Sequence, residues 1–473
     1  MKKYILPALF SFLVLGLSSC SNDFNHDVSD EVVEPGTADF SKYIALGNSL
    51  TSGFRDNALY ISGQKESYPA MIAEQMKRAG GGEFKIPLMA DELGGIPQVG
   101  VANKMGLVVV NGSLAPSVLT GTGTTTLANI YSEGPYQNMG VPGAKSFHLV
   151  APGYGNPANL ATKTANPYFV RFASSPNTTV LADAMAQNPT FFSLWIGNND
   201  VLGYATSGGD GSNEITKVST FQGAYTALIQ GLTSNGAKGI VANLPYVTNI
   251  PFFTTVPSTP FAANQFTAQQ VAALNAAYHT YNLGLDQIVA AHLITAEEAQ
   301  KRKIVFVEGK VNGAVIADKD LTDLSGMGLP SIRMSAQGDL LLLPVSSILK
   351  TGGGTSVPLE DKYVLTAKEV GNLTEATNQF NSIIKNIADQ YNLAFADINK
   401  LMADLNNQSG ITYDGVNYSN TFVTGGAFSL DGVHPTGRGY AFIANEFIKA
   451  INKKYGSSLV QVNPNIYQGV TFP

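Results

Sequence analysis

Four short, continuously apolar runs, separated by stretches of helical pattern, constrain the fold of this chain more than any other feature. They are Lys42-Tyr-Ile-Ala-Leu-Gly-Asn48, Thr190-Phe-Phe-Ser-Leu-Trp-Ile196, Lys238-Gly-Ile-Val-Ala242 and Leu393 to Ala396. A strand wetted on one face alternates apolar and polar residues, whereas a run apolar throughout is covered on both. Between and after these runs the period changes. Pro69 opens a helix with Ile72, Ala73 and Met76 on one face, ending near Gly80 to Gly82. Val180 to Ala186 has helical composition, and a further helix over about 219–235 stops at Asn235-Gly236. Thr366 and Glu369 form a capping box ahead of Ala376, Phe380, Ile383, Ile384, Ile387 and Tyr391 at helical spacing. Tyr440, Ile443, Ala444, Phe447, Ile448 and Ile451 form a last apolar stripe. Covered strands alternating with helices predict an α/β fold around a central parallel sheet.

Three stretches break the rhythm. Residues 81–176 are rich in Gly, Pro, Thr and Asn with few periodic signals, and 245–264 is dense in Pro, Phe and Thr. Both read as long loop insertions. Between 302 and 348, apolar runs flank Asn312-Gly313 and again Ala336-Gln-Gly338-Asp, which predicts a small antiparallel β insertion with hairpin turns at those two places. With 44% apolar and 14% charged residues, the composition is that of a packed globular core, and a length of 473 allows one large domain or two to three ordinary ones. The net charge of −6 without a basic stripe argues against nucleic acid as a partner.

The N-terminus is of a different kind. Lys2 and Lys3 precede an apolar run, Ile5 to Leu17, that is too short to cross a bilayer, and Leu17-Ser-Ser-Cys20 closes it with small residues. This resembles a bacterial lipoprotein signal, which implies removal of residues 1–19 and lipidation of Cys20. Cys20 is the only cysteine, so an intrachain disulfide is excluded. A simple secretory signal cut near the same place is the alternative. Residues 20–38 read as a tether, 39–456 as the folded domain with its insertions, and 457–473 as a C-terminal tail. The expected location is the bacterial cell envelope, anchored by lipid to the outer membrane.

Chemistry concentrates at four places. Acyl transfer needs a hydroxyl nucleophile, a base in reach, a group that orients the base, and donors aimed at the developing oxyanion. Ser49 follows the first apolar run, at the carboxyl end of a strand where sites form in open α/β sheets. Asn199-Asp200 follows the second in Trp195-Ile-Gly-Asn-Asn-Asp200. Asn138-Met-Gly-Val-Pro-Gly143 is a Gly-rich loop, and Asp431-Gly-Val-His434-Pro435 precedes the last helix.

Taken together and in order, these segments resemble the blocks of the SGNH (GDSL-type) hydrolases: Gly47-Asn-Ser49-Leu50, Asn138 to Gly143, Gly197-Asn-Asn199-Asp200 and Asp431-Gly-Val-His434. The resemblance implies the family's three-layer, flavodoxin-like sandwich and a serine esterase or lipase that needs no metal or cofactor. It makes Ser49 the nucleophile, His434 the general base and Asp431 its orienting acid. The oxyanion hole would be the backbone N–H groups of Ser49 and Gly143 and the side-chain amide of Asn199. Asn48 stands where the family usually has Asp, and the insertions have no family reading.

Plainer readings stand beside these. Ser49 suits an ordinary loop serine, Asn199 a helix cap, Gly140 competes with Gly143, and Asp431 suits an N-cap with Pro435 at the first helical position. Asp200 suits the cap after the second strand better than Asn199. Of the other histidines, His26 lies in the tether, His279 and His292 fall on a helical stretch without carboxylates at metal spacing, and His148 reads as a surface residue near the second block. Tyr246, Phe252, Phe253 and Phe261 are candidates for a pocket lining, with packing in the loop as the alternative. The expected substrate is a small-molecule, lipid or acylated-glycan ester. A non-catalytic surface protein that binds glycan or protein, or an acyltransferase, fits the same residues.

Overall fold

The computed structural model describes residues 32–110 and 112–473, so the leader, Cys20 and the first part of the tether lie outside the described residues. Five parallel strands form the central sheet: β1 (Tyr43–Gly47), β2 (Asn138–Gly140), β3 (Phe191–Trp195), β4 (Lys238–Ala242) and β5 (Ala394–Ala396), in the order β5-β4-β3-β1-β2. Four are the apolar runs of the sequence. The fifth, β2, lies inside the segment read as a loop, where its three residues are too few for any period to register.

Helices cover both faces. α1 is the single turn Ser49–Ser52, α2 spans Tyr68–Lys77, α3 Asn198–Thr206, α4 Val218–Thr233, α5 Ala367–Gln390 and α6 Gly437–Tyr455. Alternation along β3 sends Phe191 and Trp195 to one face, where Phe191 meets Tyr455 of α6 at 5.6 Å and Trp195 meets Tyr68 of α2 at 5.7 Å. α4 and α5 pack together in the other layer, with Phe221 stacked on Phe380 at 4.1 Å. The result is an α/β three-layer sandwich whose core is continuous across the sheet.

The capping box at α5 forms as read. The Thr366 hydroxyl accepts from the Glu369 N–H, and the Thr366 N–H donates to Glu369 Oε2 at 2.8 Å. At α6 the reading fails by two residues: the N-cap is Thr436, whose hydroxyl accepts from Gly439 N–H at 3.2 Å, and Asp431 does not cap that helix. Asp200 is likewise no N-cap. The N-cap of α3 is Gly197, and Asp200 sits in the first turn.

The insertion at 302–348 is antiparallel, but its pairing differs from expectation. Val315–Ala317 pairs with Ile332–Met334, and Leu340–Leu341 with Val364–Leu365. Asn312-Gly313 is no hairpin turn because Asn312 is engaged otherwise: its side chain accepts from Val307 N–H and donates to the carbonyls of Val307 and Lys310. The insertion has its own apolar cluster around Phe261, Phe306, Val315 and Leu341. Buried Arg333 bridges Asp318 and Asp339, and Asp339 accepts from Ala367 N–H, which ties the insertion to the start of α5. The described part of the tether and the tail are tied to the domain: Val33 and Ala38 are buried and Thr37 N–H donates to Tyr455 O, while in the tail Asn445 binds Val462 and Gln468 receives Arg55.

The long stretch 81–176 also carries the hairpin Met105–Val110 with Ser113–Val118. It contains a half-buried His148 rather than a surface one. That ring stacks on Tyr154 at 4.5 Å, and its Nδ1 accepts from Lys145 N–H at 3.1 Å. Burial, with the nearby Lys145 charge, pushes its pKa down to about 4.

Two outcomes follow. Thr366→Ala removes one half of the capping box and is expected to cost about 1 kcal/mol, read as a lower urea midpoint with unchanged m. The unfolded chain protonates His148 near pH 6.5 while the folded one resists until about pH 4, so its share of stability is complete above the first value and lost as pH falls toward the second. Melting followed between pH 7 and 4 should show this decline, and His148→Asn, which keeps an acceptor for Lys145 N–H without the charge change, should flatten it.

Candidate active site

Parallel pairing sets the level of the loops. Gly47 lies opposite Trp195 and Gly140, so the residues that follow β1, β2 and β3 emerge side by side at one sheet edge. Ser49 opens α1 directly beyond β1, and Asn48 is its N-cap, accepting from Leu50 N–H at 3.0 Å. Asn48 also donates to Asn198 Oδ1 at 3.2 Å. A carboxylate could accept the first bond but not donate the second, so Asn here binds the first block to the third. α1 in turn lies against β2: a Cβ on Gly140 would come within 2.4 Å of Ser52 N, so only glycine fits there.

Ser49, His434 and Asp431 come together. His434 Nε2 is 2.9 Å from Ser49 Oγ, and His434 Nδ1 is 2.9 Å from Asp431 Oδ2. Asp431 Oδ1 accepts from the N–H groups of Val433 and His434, each at 2.8 Å. The carboxylate therefore caps its own turn, in place of the helix-capping role that the sequence suggested. Burial opposes its charge, but His434 and the two amides outweigh burial and hold the carboxyl below the ordinary range. An ionised carboxylate only accepts, so the imidazole carries its proton on Nδ1 and turns the Nε2 lone pair to the Ser49 hydroxyl. The Phe54 ring packs on the imidazole at 4.8 Å.

Of the three expected oxyanion donors, Ser49 and Asn199 line the same cleft as His434. The Ser49 N–H is at the first helical position, where no intrahelical acceptor exists. Gly143 and its rival Gly140 are separated by their bonding. Gly140 N–H is taken by Asn138 Oδ1 at 3.1 Å, whereas Gly143, exposed and with φ +80°, has no acceptor for its N–H among the described residues. Asn199 donates one side-chain hydrogen to Ala144 O at 2.9 Å, which leaves the second for a ligand. Asp200 steadies this corner: its carboxylate accepts from both the N–H and the hydroxyl of Ser146 at 2.8 Å, tying the loop after β2 to α3. Burial pushes its carboxyl above the ordinary range against those bonds.

Beside Ser49 and His434 lies a cleft of about 560 Å³, its open mouth included, walled mainly by Leu50, Val201, Leu202, Val247, Ile250, Met402 and Val433. The four aromatics proposed as lining are not among its walls. Phe253 and Phe261 are buried in separate clusters, and Tyr246 hydrogen-bonds Asn378. The wall residues escaped the sequence reading because they come one or two at a time from five separate segments, and no local pattern marks them as a wall. Among the described residues, no group of three or more His, Cys, Asp or Glu is placed to hold a metal ion.

No curated protein matches the chain. Solved structures similar to it include an acetylxylan esterase from Geobacillus stearothermophilus, at 10% identity over 89% of this chain and 98% of that one with a TM-score of 0.33. They also include an α/β hydrolase from the metagenome of Lake Arreo, Spain, at 9% identity, 88% and 96% coverage and a TM-score of 0.34. A third is an extracellular lipase from Streptomyces rimosus, at 13% identity, 87% and 98% coverage and a TM-score of 0.28. Likenesses this distant carry no functional weight. Residues 318–447, which include Asp431 and His434 but not Ser49, match the family model described as GDSL-like Lipase/Acylhydrolase, and this match supports the SGNH hydrolase family.

Proposed function

We propose that this protein is a serine esterase of the SGNH type that cleaves carboxylic esters through an acyl-enzyme on Ser49. The observation that carries the reading is the unbroken relay from Ser49 Oγ to His434 Nε2 and from His434 Nδ1 to Asp431, each step 2.9 Å. The family-model match over the segment with the acid and the histidine supports it. His434 accepts the hydroxyl proton as Ser49 attacks the ester carbonyl, then returns it to the leaving alcohol, and water repeats the cycle on the acyl-enzyme. Asp431 holds the imidazole in the required tautomer and offsets its transient positive charge. The N–H groups of Ser49 and Gly143 and the free amide hydrogen of Asn199 receive the oxyanion. The apolar wall of the cleft, largely aliphatic with Trp195 and Phe428, suits an acyl chain better than a sugar ring. The expected setting is the bacterial envelope, with the chain anchored through lipid on Cys20.

Ser49→Ala and His434→Ala are each expected to lower hydrolysis of a short-chain chromogenic ester by about a thousandfold or more while the circular dichroism spectrum is kept. A fluorophosphonate should label wild-type protein at Ser49; folded protein that stays unlabelled would instead point to a binding protein on this scaffold. Asn199→Ala should reduce kcat by about a hundredfold with little change in KM, because its amide serves the charge that develops only in the transition state. A rise in KM at constant kcat would remove Asn199 from the oxyanion hole. Mass spectrometry of the membrane fraction tests the anchor: the wild-type chain should begin at Cys20 and carry diacylglyceryl mass there, and Cys20→Ala should abolish both that mass and recovery in the membrane fraction.

A further inference from the structure

The acid and the nucleophile are 382 positions apart, and a second contact besides the relay joins them. Beyond α1 the chain forms a tight two-residue turn: Arg55 and Ala58 exchange both backbone hydrogen bonds at 3.1 Å, with Asp56 and Asn57 at the tip. Both tip residues have positive φ, +53° and +60°. That is the conformation of a type I′ turn, which Asp, Asn and Gly tolerate and β-branched residues resist. The left-handed pair turns two successive N–H groups onto the loop that carries the acid. Asp56 N–H donates to Ser429 Oγ at 2.9 Å, and Asn57 N–H donates to Asp431 Oδ2 at 2.9 Å, the same oxygen that faces the imidazole. The Asp56 carboxylate closes the clasp by accepting from Leu430 N–H at 3.0 Å.

The clasp is itself braced. Asp56 Oδ2 accepts from the Tyr60 hydroxyl at 2.6 Å, and that hydroxyl accepts from Arg55 Nε at 2.7 Å. Arg55, buried, pairs with Glu66 at 2.5 Å and donates to Gln468 at 2.9 Å. The carbonyl of Asp56 receives Met105 N–H at 2.8 Å. The Asn57 side chain makes no hydrogen bond among the described residues, so what this position contributes is its backbone.

We propose that the Asp56–Asn57 turn is a positioning element of the active site, holding the Ser429–Asp431 loop in register with Ser49 so that His434 meets the nucleophile at hydrogen-bonding distance. The proposal rests on the serine-esterase reading above. Neither residue touches the reacting atoms. A shift of the acid loop on the scale of an ångström is enough to cost about a hundredfold in rate.

The test compares four variants of the full chain with wild type: Asp56→Ala, Asp56→Asn, Asn57→Val and Asn57→Gly. Turnover of a p-nitrophenyl ester is expressed per site titrated by a fluorophosphonate, so that unfolded protein does not count. Asp56→Ala and Asn57→Val are expected to lower kcat about tenfold to a hundredfold with KM within about twofold, and to slow fluorophosphonate labelling in the same ratio. Asp56→Asn should recover most of the activity, since its carbonyl oxygen still accepts Leu430 N–H, and Asn57→Gly should stay close to wild type because glycine accepts the positive φ. Unchanged kcat per site in both Asp56→Ala and Asn57→Val would overturn the proposal, as would equal losses in Asn57→Gly and Asn57→Val. Wild-type protein that neither labels at Ser49 nor turns over the ester would instead sink the esterase reading, and the positioning role with it.

Discussion

Parallel pairing of Tyr43–Gly47 with its two neighbours is the constraint on which the rest of the site depends. In a parallel sheet all carboxyl ends lie at one edge, so three loops from distant parts of the chain arrive at the same level without further steering. Ser49, Gly143 and Asn199 follow their strands by two to four residues, and the short turns leave little slack. The cost is that the strands must be covered on both faces, and the helices of the two layers meet it, with Phe191 and Trp195 packed on one side and the apolar core continuous through the sheet.

The acid and the histidine reach that edge by a different route. No strand carries them; they sit in the loop before α6, and α6 packs along the sheet on the side of Trp195. The neighbouring imidazole, with backbone amides beside it, then decides the electrostatics. A buried carboxylate is unfavourable by itself, but Asp431 accepts from three N–H groups and the imidazole, and it stays ionised. Asp200 presents the opposite balance at the next corner, where burial prevails over the bonds from Ser146. Two carboxylates within one site thus differ because one lies against an imidazole and several amides that outweigh its burial, while burial outweighs the donors around the other.

Legibility in the sequence followed the range of the interaction. Thr366 with Glu369, and the strand Lys238–Ala242, are set by neighbours a few residues away and appear where the pattern put them. β2 was missed because three residues carry no period, and its place in the sheet comes from Gly140 fitting against α1. The hairpin turn expected at Asn312-Gly313 failed for a related reason, since the Asn312 side chain bonds Val307 and Lys310 and leaves no turn for the dipeptide to make. A helix cap is the local role that suits an acid near a helix start, and neither Asp431 nor Asp200 takes it: Asp431 binds Val433 and His434 in its own turn and Asn57 across the chain, and Asp200 binds Ser146.

By itself, the sequence determined the α/β class, four of the five strands, the long helices, and which residues carry reactive groups: these depend on periodicity, capping and residue chemistry within a dozen positions. Only the tertiary structure decided that Gly143 rather than Gly140 keeps an unengaged N–H, that Asn48 links two blocks, that aliphatic residues rather than the loop aromatics wall the cleft, and that the Asp56–Asn57 turn clasps the acid loop. The physical reason is common to all four. Each depends on which donors and acceptors remain unpaired once the chain has closed on itself, and that count does not exist until distant segments meet.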